Sequence, residues 1–401
     1  MINHLPPEAS VPVLWSGRVF GHYRLEFLRC LTTDYRIQID AAADWNESVV
    51  FNGDIDVINQ AARNANIIHL RNHYFGPLLW QTGLLKLVAS RKYAIVLAVG
   101  DPHHLSTWVA LVIGRFTRTK IVLWTHGWKP SQGLGKRLVL RIFYSLSRHL
   151  LLYSKEAESI GAEQGFPRQR MTVVSNSSSS KSDVSPHRTN GLLRQEIMRA
   201  IGLELDWPVV ICTTRLLPER RLDLLLDAAQ KLGNSGLPIN VLLVGDGPAM
   251  DALRIQASKF PGNVVFIGSL FDRTRIQEMH SISDLTVIPS RAGLGIVTSM
   301  TYGVPVIIDS NFALHGPESS AVLPGVTGDL FAQSDAESLA RVMRAWLKDR
   351  PKLDRARSEC TSLILQSYSA EKQATLVAQA LGRVVGTSHQ RRSGLDPRRE
   401  T

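Results

Sequence analysis

Short apolar runs rich in β-branched residues alternate with helix-length amphipathic segments along most of this chain. Several runs are apolar at nearly every position, which is typical of strands buried on both faces of a parallel sheet. Helix-length segments such as PLLWQTGLLKLVASRK (77–92) and STWVALVIGRF (106–116) lie between them. The first half therefore predicts one open α/β sheet, with strands at 11–15, 35–40, 66–70, 94–99, 120–124, 149–153 and 171–174.

A second α/β series follows the polar segment SNSSSSKSDVSPHRTN (175–190), whose four consecutive serines predict an interdomain linker or an exposed loop. The pattern predicts two successive Rossmann-like domains. Ligands of such sheets bind beyond the carboxyl ends of the strands, so a central cleft between two facing domains is expected. The predicted strands of the second series are 208–214, 239–245, 264–268, 285–289 and 304–309.

The length of 401 residues suits two domains of about 150–200 residues each. We predict an N-terminal Rossmann-like acceptor domain over residues 1–186 and a C-terminal Rossmann-like donor domain over residues 187–364. Residues 365–385 are predicted to form a helix that packs back on the N-terminal domain. The basic, apolar-poor stretch 386–401 predicts a disordered tail.

Composition narrows the class of protein. A 44% hydrophobic and 20% charged chain excludes wholesale disorder, and three cysteines in no metal-ligand spacing favour a reducing compartment without a zinc site. The first residues lack the basic start and apolar core of a secretory signal. The sequence also lacks a run of about 20 apolar residues, which a helix needs to span a bilayer. We therefore expect a cytoplasmic protein, soluble or peripheral at the inner face of the membrane.

The net charge of +11 is unevenly distributed. Residues 51–150 carry 13 Lys/Arg against 3 Asp/Glu, whereas residues 201–401 carry 22 against 21. Nucleic acid, anionic lipid and phosphorylated substrates all fit a basic first half.

In the segment 133–150, Leu134, Leu138, Ile142 and Leu146 form one helical stripe and arginines form another. Such a helix either packs on the core with a solvated basic face or lies on an anionic membrane, possibilities that the sequence leaves open.

Chemistry-bearing residues follow the predicted strands of the second domain. Arg215 and Arg220 flank a helix start, where two guanidiniums and free amides would converge on a diphosphate. Gly293 and Gly295, behind Arg291, would let a backbone approach a ligand closely. Alternatively, the arginines form a capping and salt-bridge cluster, and Gly245 and Gly247 serve a structural turn.

In the first domain, His126 comes directly after the strand 120–124 and would face the cleft, although a lone strand-end histidine is often structural. The chain has no G-x4-G-K-[ST] phosphate loop and no well-placed G-x-G-x-x-G, which disfavours ATPases and dehydrogenases.

Residues 207–331 resemble the donor half of GT-B glycosyltransferases, specifically the retaining enzymes of glycosyltransferase family 4 (group 1). The similarity rests on RLLPERRLDLLLDAA, LLVGDGP, VVFIGS, DLTVIPSRAGLGIVTSMTYGVPVI and LPGVTGDLF in this order and spacing. The first domain matches chiefly through HGW (126–128) and the order of strands and helices.

The resemblance implies a nucleotide-diphosphate sugar as donor substrate, with no cofactor and no metal. It implies catalytic roles for Arg215 and Arg220, which match a basic pair at the diphosphate, and for His126 near the transferred sugar. The stretch 265–268 matches the segment that borders the base. The donor-binding residues implied in this way are Thr214, Gly245, Gly247, Phe266, Ile267, Arg291, Gly293, Leu294, Gly295 and Thr298.

One departure from the family concerns its two glutamates, which usually stand eight positions apart around the glycine-rich loop. Thr298 stands where the second is expected, and no acidic residue occurs between Asp284 and Asp309. The chain resembles a subgroup lacking the pair, in which Thr298, Ser299 or backbone groups would replace the carboxylate at the ribose. Glu318 lies where this subgroup also carries an acid.

The resemblance thus implies retaining transfer of a hexose to a glycan or lipid-linked acceptor in cell-surface polysaccharide biosynthesis, such as exopolysaccharide or lipopolysaccharide. The expected partners are a nucleotide sugar, the acceptor and an anionic membrane surface met by residues 51–150. A non-catalytic sugar-nucleotide or glycan-binding protein on the same fold is the alternative. A sugar-nucleotide epimerase lacks the expected carboxylates, and no stacking motif supports nucleic-acid binding.

Overall fold

The computed structural model describes residues 11–47, 66–130, 132–186, 188–259 and 262–386. The chain forms two compact units: the first contains residues 1–177 and 370–401, and the second contains residues 178–369. The sequence placed its domain boundaries after residues 186 and 364. The predicted disordered tail, apart from Gly386, lies outside the described residues.

The first unit is built on a seven-stranded parallel sheet in the order β3-β2-β1-β6-β7-β8-β9, and β4 and β5 pair as an antiparallel hairpin. Val13 and Trp15 of the first strand pack into one apolar cluster and Leu14 into another, so both faces of the sheet are covered. The strands are β1 Val13–Ser16, β2 Ile39–Ala43, β3 Ile67–His69, β4 Arg71–Phe75, β5 Leu78–Thr82, β6 Ile95–Val99, β7 Lys120–Thr125, β8 His149–Leu152 and β9 Met171–Val173.

The helices of this unit are α1 Leu25–Thr33, α2 Leu84–Ala89, α3 Leu105–Thr117, α4 Leu134–Leu146, α5 Lys155–Glu163 and, at the end of the described chain, α13 Ala370–Gly386. Helix α13 packs on α1: Ala374, Val377 and Leu381 are buried in the same cluster as Phe27 and Leu31. Tyr35 fixes the contact further, because its hydroxyl donates to Thr375 Oγ1 at 2.7 Å.

The second unit is a six-stranded, wholly parallel sheet in the order β12-β11-β10-β13-β14-β15. Alternate residues of β10 enter different clusters: Val210 and Cys212 face one, Val209 and Ile211 the other. Both faces are therefore buried, as the apolar runs predicted. The strands are β10 Val209–Thr213, β11 Asn240–Val244, β12 Asn263–Gly268, β13 Leu285–Ile288, β14 Val306–Asp309 and β15 Gly328–Phe331.

Seven α-helices and a π-helical turn, Ile364–Tyr368, complete the described part of the second unit. Asp272, Asp335 and Asp349 each accept backbone N–H bonds at a helix start, which satisfies otherwise unpaired donors. The helices are α6 Gly191–Ala200, α7 Leu222–Asn234, α8 Met250–Ala257, α9 Arg273–Ser281, α10 Leu294–Thr301, α11 Ala336–Leu347 and α12 Arg350–Leu363, the last running into the π-helical turn.

The strand order of each unit reverses next to its first strand. In the second unit the reversal lies between β10 and β13, and in the first unit between β1 and β6. Loops leaving these neighbours go to opposite faces of the sheet, which opens a crevice beyond their carboxyl ends. This is where a ligand of each sheet is expected.

Two local expectations were wrong at least in part. The first half of the segment 77–92 is strand β5 rather than helix, because it pairs with β4 through Phe75 and Leu78. Of the two alternatives for 175–190, the boundary between the units after residue 177 agrees with an interdomain linker. The exposed loop is wrong for Ser177, Ser179 and Ser180, which are buried. Ser177 donates to Gln373 at 2.8 Å, and Ser180 forms a capping box with Asp183. Within the described residues, no helix is both long and apolar enough to cross a bilayer.

Candidate functional site

The loop after β10 is held in place by the loop after β11. Leu216 N–H donates to the carbonyl of Asp246 at 2.9 Å, and Thr214 N–H to that of Val244 at 3.0 Å. A Cβ at Gly245 would lie 1.8 Å from the carbonyl oxygen of Thr214, and one at Gly247 2.4 Å from that of Leu216. These glycines are therefore required by the close approach of two backbones, which is the structural turn that the sequence left open.

The loop after β13 depends on a residue that the sequence analysis missed, the buried His315. Its Nδ1 accepts the N–H of Ala292 at 3.0 Å, so its Nε2 carries the hydrogen and donates to the carbonyl of Asp309 at 3.0 Å. The carbonyl of Ala292 in turn accepts the N–H of Gly316 at 2.7 Å. The segment leading into α10 is thus fixed by hydrogen bonds to a neutral imidazole in one tautomer.

Arg220 joins the two loops across the switch point. It ends the short 3-10 turn Pro218–Arg220, and its Nη1 donates to the carbonyl of Arg291, whose backbone is left-handed with φ 50°. The start of α10 is equally near β10, because a Cβ at Gly295 would lie 3.1 Å from the carbonyl of Thr213. The structure therefore brings Arg220, Arg291 and Gly295 together at the carboxyl edge.

Two buried polar atoms at this edge have no hydrogen-bond partner in the described part of the chain: Arg220 Nε and Thr213 Oγ1. Burial and, to a smaller extent, Arg291 lower the pKa of Arg220, while Cys212 and Glu219 oppose the shift. Unsatisfied buried donors are rare in proteins, and a desolvated guanidinium gains most from an anion. The edge is therefore suited to binding an anionic group.

Arg215 differs from Arg220 in its exposure. Its side chain is exposed, and no hydrogen bond or ion pair joins that side chain to another described residue. The convergence of Arg215 and Arg220 on a diphosphate stays a prediction, since both follow the same strand. Arg220 is the half-buried member of the pair and Arg215 the solvated one.

The remaining predicted donor residues lie around the same edge. Phe266 and Ile267 are on β12, two strands from β10, and the guanidinium of Arg254 lies 5.3 Å from the Phe266 ring centroid. Leu294 begins α10, and Thr298 is half-buried one turn later. Glu318 is buried, with one carboxylate oxygen 3.8 Å from a Cβ placed on Gly293.

Ser299 is unavailable as a substitute for the missing glutamate. Its hydroxyl is fully buried, accepts from Thr286 Oγ1 at 2.9 Å and lies 3.4 Å from His280 Nε2. These contacts turn it into the core beneath α10. Thr298 is the hydroxyl that this helix leaves partly accessible.

In the first unit, His126 follows β7 on a tightly fixed turn. Thr125 Oγ1 donates to the carbonyl of Gly100 at 2.7 Å and accepts the N–H of Gly127 at 3.1 Å. The His126 side chain is exposed, and its ring centroid lies 4.8 Å from that of Tyr153. Desolvation, followed by Lys129 and Arg24, lowers the pKa of His126, whereas Asp101 acts in the opposite direction.

The switch point of the first unit carries polar groups that the sequence analysis did not single out. Asp101 follows β6 and binds His103 Nδ1 at 2.8 Å. At the end of β1, Ser16 donates to Gln81 Oε1 at 3.0 Å, and Gln81 Nε2 donates to the carbonyl of Gly17 at 3.0 Å. This edge presents imidazoles, a carboxylate and an amide.

Comparison with known families adds to this description of the second unit. Residues 194–361 match the family model described as glycosyl transferases group 1. The second unit is therefore similar to the group 1 glycosyl transferases. The match contains β10 to β15 and every element of the carboxyl edge described above.

Curated relatives match a part of the chain. A glycogen synthase of Halorhodospira halophila is 31% identical over 175 residues, which is 41% of this chain and 36% of that protein. A GDP-mannose-dependent alpha-(1-6)-phosphatidylinositol monomannoside mannosyltransferase of Mycolicibacterium smegmatis is 28% identical over 156 residues, or 36% of this chain and 40% of that protein. The chain thus matches less than half the length of these relatives.

Solved structures match nearly the whole chain. A glycosyltransferase of Rickettsia africae superposes with a TM-score of 0.72 at 13% identity, covering 94% of this chain and 99% of that one. HepE of Anabaena, solved with UDP, superposes with a TM-score of 0.68 at 18% identity, covering 94% and 100%. At these identities the likeness shows the fold, which is the GT-B architecture of two Rossmann-like units.

Proposed function

We propose that this protein is a retaining hexosyltransferase that takes its sugar from a nucleotide diphosphate sugar. The observation that carries the proposal is the carboxyl edge of the second unit, where Arg220 and the glycine-rich start of α10 meet at the topological switch point. A diphosphate there would receive the unpartnered Arg220 Nε and the free amides of a helix N-terminus. The family of residues 194–361 agrees with this use of the edge.

The nucleotide is proposed from the relatives and from the edge strand. HepE was solved with UDP-glucose, and the mycobacterial relative is named for GDP-mannose, so a uridine or guanosine donor is the first choice. The base would border the backbone near Phe266 and Ile267, and the ribose would meet the Thr298 hydroxyl in place of a carboxylate. A neutral hydroxyl forms a weaker hydrogen bond than a carboxylate does.

The proposed reaction breaks the bond between the anomeric carbon and the diphosphate oxygen, and both bonding electrons leave with the diphosphate. The acceptor hydroxyl oxygen forms the new bond on the same face of the sugar, and its proton leaves with the diphosphate. Negative charge accumulates on the leaving group, where the Arg220 guanidinium and the α10 amides stabilise it most. His126 would border the electron-poor sugar. Arg215 would place a second, solvent-exposed positive charge near the diphosphate. We propose that the arginines make a divalent metal unnecessary.

Turnover with a panel of labelled UDP, GDP and ADP hexoses, with membrane extract as acceptor source, tests this proposal. We expect sugar transfer from one donor, insensitive to EDTA and lost in Arg220→Gln. Donor binding without transfer would instead favour the alternative, a sugar-nucleotide or glycan-binding protein on the same fold. If neither donor binding nor sugar transfer is detected, both the transferase and the binding-protein proposals are refuted.

We further propose that the acceptor is carried at an anionic membrane, as in cell-surface polysaccharide assembly at the inner face. Most of the stripe on α4 that the sequence left open is not core: Leu134 is 82% exposed, Leu138 59% and Ile142 48%, whereas Leu146 is partly buried against the core. On α3, which packs beside α4, Phe116 is 81% exposed. Arginines such as Arg141 flank these side chains, and apolar residues rimmed by basic ones fit an anionic bilayer surface.

Vesicle sedimentation checks this surface. We expect binding to vesicles containing phosphatidylglycerol that weakens with salt, and that falls severalfold in the double variant Leu138→Gln/Ile142→Gln. The matched control is Leu192→Gln/Leu193→Gln, which changes two exposed leucines of the second unit. The proposal would be contradicted if the two double variants bound the vesicles equally well. It would also be contradicted if the protein bound neutral vesicles and not anionic ones.

A further inference from the structure

A second arginine cluster lies at the opposite, amino edge of the sheet in the second unit. Its centre is the buried Asp284, which directly precedes β13 and accepts the N–H of Val209 at 2.9 Å through Oδ2. Because the proposed donor loop begins at Pro289, after β13, about 15 Å of strand separates the two places. Nothing in the donor proposal uses this edge.

Four guanidiniums surround this one carboxylate. Arg188 Nη2 and Arg350 Nη1 lie 2.6 and 2.9 Å from Asp284 Oδ1, and Arg194 Nη2 lies 3.6 Å from Oδ2. Arg357 Nη2 donates to the carbonyl of Ser283 at 2.5 Å.

The charges do not balance. Among the described residues, the other carboxylate in contact is Asp354, an exposed partner of Arg350 at 3.4 Å. Four positive charges therefore face one buried and one solvated negative charge.

The cluster also contains donors without acceptors. Arg357 is only 5% exposed, and its Nη1 has no hydrogen-bond partner among the described residues. The Nε atoms of Arg188 and Arg194 are buried and unpartnered as well. Burial, opposed by Asp284 but reinforced by neighbouring arginines, lowers the pKa of Arg188 to about 10 and also lowers that of Arg194 and Arg357.

We propose that this cluster, formed by Arg188, Arg194, Arg350 and Arg357 around Asp284, is a second anion site that binds a phosphate or phosphate monoester. A planar guanidinium presents a fork of donors that matches phosphate oxygens, and several forks around one point fit a dianion better than a carboxylate alone does. Asp284 fixes the forks in place by holding two of them from the side of the sheet. A bound dianion neutralises the excess charge and accepts the donors left over.

Calorimetric titration of the whole protein with inorganic phosphate, at constant ionic strength against chloride, tests the site. Arg194→Gln and Arg350→Gln each remove one fork, and a hydrogen bond to a charged group contributes enough that we expect about tenfold weaker binding for each. The matched control, Arg355→Gln, changes an exposed arginine on the same helix as Arg350 and Arg357. A parallel titration with a hexose monophosphate shows whether free phosphate or its ester binds more tightly.

A second measurement separates a binding site from a purely structural cluster. Without phosphate, Arg194→Gln and Arg350→Gln should melt at or above the wild-type temperature, because each relieves repulsion; with phosphate, only wild type and Arg355→Gln should gain stability. Variants that melt lower yet keep the full phosphate response would overturn the proposal. So would phosphate binding that disappears in Arg220→Gln and persists in Arg194→Gln, because it would belong to the donor edge.

Discussion

The switch points of the two units share a topology and differ in chemistry. In the second unit the crevice is lined by glycine backbone, a helix N-terminus and the half-buried Arg220, with an unsatisfied guanidinium nitrogen. In the first unit it carries Asp101, His103 and Gln81, whose side chains bind one another or nearby backbone. The crevice of the second unit therefore suits an anion, whereas that of the first unit suits hydroxyl groups. A shared fold therefore supplies the crevice, and the loop residues decide what it holds.

The sharpest test of this contrast lies within the second unit, between Arg220 and Arg215. Arg220→Ala should lower kcat/KM for the nucleotide sugar about 10²–10³-fold, as loss of a preorganised donor to a leaving group does. Arg215→Ala should lower it no more than about tenfold, because a solvated charge is screened. Steady-state kinetics of both variants give the ratio.

Arg221→Gln is the matched control, because Arg221 is adjacent but engaged with Asp223 at 2.9 Å. Its kinetics should equal those of wild type. Equal losses in Arg215→Ala and Arg220→Ala would show that burial does not distinguish the two, and the assignment of Arg220 would fail.

Acid should destabilise the second unit through His280, which is buried and has its pKa lowered to about 4 by desolvation. Its Nδ1–H donates to the carbonyl of Ile276 at 2.8 Å. Because the unfolded imidazole titrates near 6.5, the unfolded state binds more protons between about pH 6.5 and 4. Stability should therefore fall as pH falls through this window, by an amount on the order of 3 kcal/mol in total.

Urea unfolding of wild type and His280→Gln at several pH values measures this contribution. The difference in unfolding free energy between the two should shrink steadily from pH 7 to pH 4.5. A difference that is constant across this range would mean that His280 is already charged or solvated in the folded protein.

His315 should matter more for the conformation of the proposed donor loop, residues 289–293 between β13 and α10, than for the stability of the fold. His315→Ala leaves the fully buried N–H of Ala292 without an acceptor, which costs about 1–3 kcal/mol and frees the segment before α10. We expect kcat/KM to drop about tenfold. Asn311→Ala removes a nearby cap on Ala313 outside this loop and serves as the kinetic control; a similar loss of activity there would make the effect one of general stability.

The smallest expected effect belongs to the first unit. His126→Ala should reduce kcat/KM severalfold if His126 borders the sugar as we propose, since the change would leave the groups proposed to bind the diphosphate in place. Because the pKa of His126 is lowered, we expect activity to fall on the acid side of the ordinary imidazole range, where a positive charge would oppose the electron-poor sugar of the proposed donor. A pH–rate profile of wild type and His126→Asn checks this, with the exposed His73→Asn on β4 as control; an unchanged acid limb in His126→Asn would remove His126 from the account.

Strands and their carboxyl ends were predictable from sequence because burial on both faces leaves an apolar run that periodicity detects. Strand β15 was missed, since Gly328–Phe331 is too short and polar to stand out. The burial of Ser177 and Ser179 was also missed, because their hydrogen-bond partners Gln373 and Thr301 are more than 100 residues away. Contacts at such separation leave no local pattern.

The site shows the same limit. Residue types and spacing identified Arg220 and the loop at Gly293–Gly295, but they gave Arg215 equal weight because solvent exposure depends on tertiary packing. His315 carried no local signal, since its partner Ala292 is 23 residues earlier. The α4 stripe likewise needed the fold: a 3.6-residue period gives an apolar face without saying whether protein, membrane or water meets it.

The most direct test of the account compares equilibrium binding of UDP, or of the nucleotide preferred in the donor panel, with binding of its monophosphate, to wild type and Arg220→Gln. We predict that wild type binds the diphosphate at least about tenfold more tightly than the monophosphate and that the variant loses this preference. A variant that keeps the full preference for the diphosphate would show that Arg220 and the α10 loop do not receive it.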